Sequence, residues 1–149
     1  MQTEEQLRLV TLDLFEQLRK DNILYAEIRL APLLHTERGL SPRQVVAIVE
    51  ATTAQAVRNT GIEARIILCT LRYYSEAQSL ETVRLVEDFR GTYVAGFDIA
   101  CDEAGYPVDA HIPAFQYAGE VYVGLLRMTV LPYIVVTLIA NFSRLSLRQ

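Results

Sequence analysis

Apolar side chains recur at helical spacing from the start of the chain: Leu7, Val10, Leu14 and Leu18, with Phe15 beside them. Thr3-Glu4-Glu5-Gln6 ahead of them is a capping-box pattern, so the spacing predicts a helix over 4–20, ended at Asp21-Asn22. Ile23 to Pro32 is a β-prone run with proline as its stop. Ser41-Pro42-Arg43-Gln44 then combines an N-cap serine, a proline at the first helical position and a glutamine three after the cap. It predicts a second helix reaching about Asn59, with Gly61 as its C-terminal stop. Ala64 to Arg72 reads as a second strand. Ser75 to Gln78 starts a third helix whose apolar face is Leu80, Val83, Val86 and Phe89, up to Gly91. Tyr93 to Ala100 reads as a third strand, and a short helix is predicted from Ile112 or Pro113.

The order α-β-α-β-α-β-α implies βαβ crossovers and a parallel sheet, hence an α/β fold. Near-continuous apolar runs within the strands predict burial on both faces. Beyond residue 118 the pattern changes. Val121 to Phe142 is apolar except for Arg127, and as a helix its 22 residues would span about 33 Å, close to a bilayer's hydrocarbon thickness. The expectation is two unlike parts, 1–118 and 119–149, the second a hydrophobic helix that could meet membrane lipid.

Charge follows the same split. Residues 1–118 are net −6 and residues 119–149 net +2. An overall −4 argues against binding nucleic acid by phosphate neutralisation. The polar, acidic opening MQTEEQ is unlike a signal peptide. Cys69 and Cys101 are too few and too far apart for a disulfide framework or zinc ribbon.

Parallel α/β folds bind ligands at the C-terminal ends of their strands. Three groups qualify: Arg29 with the loop through His35, Arg72 with Tyr73 and Tyr74, and Asp98 with Cys101-Asp102-Glu103. Asp102 and Glu103 read either as a solvated loop capping the next helix or as a substrate-orienting or acid/base pair. Asp98, inside an apolar strand, calls for an ion pair with Arg29 or Arg72. Cys69 reads as core, and Cys101 as a strand-end residue that could line a site. His35 and His111 are the only histidines and lack companions for a metal site, so both read as surface or capping residues.

LYAEIRLAP, GLSP, GIEARIILCTLR and VAGFDIACDEAG with HIPAFQYA, taken in order, resemble the adenosine deaminase family from about Asp21 to Ala118. The resemblance implies part of a (β/α)8 barrel, a purine nucleoside as ligand, zinc as cofactor, and hydrolysis of adenosine to inosine and ammonia. It carries over thinly. The family's H-x-H zinc pair is absent from this sequence, and Phe115-Gln116-Tyr117-Ala118-Gly119-Glu120 stands against its fifth-strand H-A-G-E motif. Zinc is therefore expected by family only, with no catalytic or metal residue assigned. Cys101 holds the position where many members have a purine-contacting glycine, and Asp102 with Glu103 match the acidic pair after it. Cys101 and Asp102 are the substrate-binding candidates.

GEVYVGLLRMTVLPYIVVTLIANFSRL is similar to an early membrane segment of sodium:dicarboxylate symporters. Three readings result: an adenosine-deaminase-like chain that is inactive alone, a symporter fragment, and a chimeric frame without evolved function. Membrane association with a cytoplasmic N-terminal part is expected, with a wholly cytoplasmic chain as the alternative.

Overall fold

The computed structural model describes residues 1–121. The chain divides into two compact units, Met1–Phe115 and Gln116–Gln149. Of the second, residues 116–121 are described and are helical. Most of the apolar run from Val121 to Phe142 lies outside the described residues. Among those described, no helix is long and apolar enough to cross a membrane.

The first unit has the predicted order of elements. Helix α1, Glu4–Lys20, leads into strand β1, Tyr25–Leu30. Helix α2, Pro42–Thr60, and strand β2, Glu63–Leu71, come next. Helix α3, Glu76–Asp88, strand β3, Val94–Ala100, and a 3-10 turn, Asp109–His111, complete it, with residues 112–115 opening the last helix. The caps explain where the helices begin. At α2, Ser41 Oγ accepts from Gln44 N–H while Ser41 N–H donates to the Gln44 side chain at 2.8 Å. Ser75 and Gln78 repeat this box at α3. At α1 only half of it forms. Thr3 accepts from Gln6 N–H, but the Gln6 carboxamide takes the Gln2 N–H instead. Gly61 ends α2 at φ +74°, donating its N–H to Val57 O at 2.8 Å, a left-handed turn that glycine adopts without a Cβ clash. Pro32–His35, read from sequence as part of a loop, forms a 3-10 turn begun by its proline.

The sheet is parallel throughout, in the order β1-β2-β3. Its β2–β3 register steps from Ile66↔Val94 to Ile67↔Gly96, a bulge that gives β3 one extra residue. Gly96 suits the spot, since a Cβ there would stand 3.3 Å from the Ile67 side chain.

Burial corrects one expectation. Among the described residues the strands are not covered on both faces along their whole length. Helices pack over Ala26, Ile28, Ala64, Ile66, Leu68 and Val94, whereas Tyr25, Glu27, Arg29, Glu63, Arg65 and Ile67 share the other face and stay exposed or half-buried. The apolar run of β2 misleads because only its second half, Leu68 to Leu71, is buried residue after residue. Phe15 anchors one end of the core against Ala56, Val57, Ile62 and Ala64. Along α1 the fully buried positions are Leu7, Thr11 and Phe15, while Val10 remains 45% exposed. Val10 and Leu14 instead line a groove of about 160 Å³ beside edge strand β1.

Tyr74, just past β2, is buried, and its ring meets Tyr73 edge-on at 5.1 Å. Burial, and then the neighbouring Tyr73, push its hydroxyl from 10.0 up to about 12.

Phe15→Ala should cost about 3–5 kcal/mol and Ser41→Ala about 1 kcal/mol, read as shifts of the urea midpoint. For Tyr74 the sign is set by proton binding. Between pH 10 and about 12 the unfolded chain has released this proton and the folded chain still holds it. Stability should therefore fall as pH rises through that window, by up to about 1.4 kcal/mol per pH unit from this group. Tyr74→Phe should flatten that slope in alkaline denaturation curves.

Candidate functional site

The C-terminal ends of the three strands gather most of the residues singled out by sequence. Arg29 on β1 reaches across β2 to β3, where its guanidinium meets Asp98 at 2.6 Å and donates to Ile99 O at 3.2 Å. The ion pair expected of Asp98 is thus made with Arg29, on the uncovered face. It is not a buried pair. Both side chains are about half exposed, and none of the described helices covers that face. Cys69 stands opposite Asp98 in the register and is buried as expected; burial pushes its thiol up, which keeps it protonated and unreactive.

Arg72 serves the loop after β3 rather than Asp98. Its N–H donates to Ala100 O at 2.9 Å. Its guanidinium donates to Tyr106 O at 3.1 Å and to the Glu103 carboxylate at 2.9 Å. The Arg72 side chain is only 14% exposed while Glu103 is 82% exposed, so the ion pair adds little beside the geometric hold on the loop. Tyr106 lies edge-on to Tyr73 at 6.2 Å, extending the tyrosine cluster out to solvent.

Cys101 is exposed and has φ +89°, in the left-handed region that disfavours a side chain bearing a Cβ. Asp102 does not cap the next helix. Its Oδ1 accepts from Ala104 N–H at 3.0 Å, closing a tight turn over Gly105, where a Cβ would stand 2.8 Å from Asp102 Oδ2. Glu103 goes to Arg72, and the next 3-10 turn has no side-chain cap.

The two histidines separate. His35 is at the surface, its Nδ1 on Met1 O at 2.8 Å. His111, expected at the surface or as a cap, is completely buried. Its Nδ1 lies 2.7 Å from Ser79 Oγ, which lies 2.7 Å from Thr70 Oγ1, and its Nε2 lies 3.0 Å from Arg72 O. Sequence reading missed this network. Its one trace is Ser79, a polar residue on the face of α3 that also carries Thr82, Val83 and Val86.

Among the described residues, no three His, Cys, Asp or Glu side chains converge to hold a metal ion. Both ring nitrogens of His111 are engaged in the core, so the donors at this end of the sheet do not fit a zinc ion. The hexapeptide from Phe115 to Glu120, set against the family's fifth-strand motif, is helical and not a strand.

Comparison with known proteins agrees with the fold. A family model described as adenosine deaminase matches residues 1–130. The adenosine deaminase of Mycobacterium leprae is 40% identical over 122 residues, covering 78% of this chain and 33% of the relative. Among solved structures, a zinc-bound amidohydrolase from Burkholderia ambifaria superposes with a TM-score of 0.72 at 22% identity, over 78% of this chain and 32% of that one. An adenine deaminase from Arthrobacter aurescens superposes with a TM-score of 0.71 at 27% identity, over 80% and 36%. The chain therefore spans about a third of the length of the curated relatives it matches. With three parallel strands, their flanking helices and a match over most of its length, the chain belongs to the adenosine deaminase family.

Proposed function

We propose that this chain carries the purine-contacting edge of an adenosine-deaminase-type hydrolase, and that alone it binds a purine nucleoside without deaminating it. The observation that carries the reading is Cys101: exposed, just past β3, at φ +89°. A glycine suits such a backbone, and the reading is supported by the resemblance, in which many members have a purine-contacting glycine at the matching position. Asp102 closes the turn behind it by accepting from Ala104 N–H. In this reading Arg29 and Asp98, on the uncovered face, line the interior of a larger barrel.

The absence of turnover is a consequence of the donor set. Hydrolytic deamination needs a water made nucleophilic near neutral pH, which zinc supplies in relatives that bind it. The residues described offer it no ligand cluster. The family match continues through residue 130. That supports counting residues 119–130 with the deaminase-like part rather than with a symporter helix.

Titration of inosine into the isotope-labelled chain should shift the amides of Cys101 to Tyr106 first, and adenosine with added zinc should yield no inosine. Shifts confined to other surfaces would refute the binding site, and zinc-dependent inosine formation would refute the inactivity. Cys101→Gly should relieve the left-handed strain and stabilise the chain by about 1 kcal/mol, while Cys101→Val should destabilise it by a similar amount. Thermal melts of the two variants check the sign.

A further inference from the structure

Besides its ion pair with the exposed Glu103, Arg72 holds the loop after β3 at three points along its length. Its N–H binds Ala100 at the start, and its guanidinium binds Tyr106 in the middle. Its carbonyl receives His111, where the loop ends. The first tie extends the strand ladder, and the second comes from a side chain that could swing away. The third comes from a ring with no exposed surface, held on its other side by Ser79.

The direction of these hydrogen bonds can be worked out. A carbonyl oxygen only accepts, so Nε2 of His111 must carry a proton to bind Arg72 O. In the neutral ring Nδ1 is then an acceptor, and Ser79 Oγ–H donates to it. With its proton committed, Ser79 Oγ accepts from Thr70 Oγ1–H. Every polar atom of the chain Thr70, Ser79, His111, Arg72 C=O is satisfied in this one arrangement. Thr70 sits on β2 and Ser79 on α3, so the network ties the loop's far end to the sheet and to the helix covering it.

We infer that His111 is a positioning residue: as the neutral Nε2–H tautomer it locks the loop that presents Cys101 and Asp102, acting through the Arg72 carbonyl. The inference deepens the purine-binding reading and rests on it for its functional meaning. The physical tie, however, can be tested without any ligand, so a failure to bind inosine and a failure of the tie are read separately.

The test uses the full chain. Long-range nitrogen–proton NMR should show His111 with Nε2 protonated and Nδ1 bare at neutral pH; a bare Nε2, or a ring protonated on both nitrogens, overturns the assignment. Amide hydrogen exchange of Ala104, whose N–H is held by Asp102, then separates positioning from mere packing. His111→Gln, whose amide nitrogen falls near Nε2, should keep loop exchange within about threefold of the parent. His111→Asn, whose amide nitrogen falls near Nδ1, should speed it by about tenfold or more, beyond any change in the slowest core amides. Equal effects of the two substitutions, or loop changes that only track the core, refute the inference. Should both variants fail to fold, Ser79→Ala decides. It spares the Nε2 tie and should leave loop exchange within about threefold of the parent, and a tenfold rise would overturn the inference.

Discussion

Strand β2 is the only strand of the described sheet with a neighbour on each side, so both ladders run through it. Parallel strands cannot be joined by a hairpin, and each pairing needs a helical crossover. α2 and α3 must therefore lie on the same face as they carry the chain from β1 to β2 and from β2 to β3. Their packing buries Ala64, Ile66 and Leu68, and the edge strands are organised around that middle row. The strand's end is equally central, since Arg72, the next residue, holds the loop on which the candidate site sits.

Local signals made most of the fold legible. The serine–glutamine boxes at Ser41 and Ser75 mark helix starts within one residue, because their partners are three positions away in sequence. Gly61 marks a stop for the same reason. Burial of the second sheet face was not legible. An apolar run looks alike whether one face or two are covered: Ile66-Ile67 alternates between buried and half-buried, while Leu68-Cys69-Thr70-Leu71 is buried throughout. Only the tertiary arrangement shows the described helices on one side.

The candidate site divides along the same line. Arg29 with Asp98 could be anticipated, because a carboxylate within an apolar strand demands a cation and few are at hand. The burial of His111 could not. Its partners Ser79 and Arg72 lie 32 and 39 residues away, and nothing around His111 itself distinguishes a buried ring from a surface one. Cys101 is intermediate. The resemblance marked the position, and the structure adds its backbone angle, which gives that position a physical meaning.

The bulge in β3 sets the phase of everything beyond it. With the extra residue between Val94 and Gly96, Phe97 falls on the helix-covered side, where its ring meets Phe115 at 5.0 Å, and Asp98 falls on the open side beside Arg29. Were Ala95 instead paired opposite Ile67 in a regular ladder, the strand would be read out of frame. Phe97 would turn to water and Asp98 into an apolar layer with no cation to receive it. A single backbone irregularity thus decides which of two adjacent side chains belongs to the core and which to chemistry, and an added or lost residue that the bulge did not absorb would exchange the two.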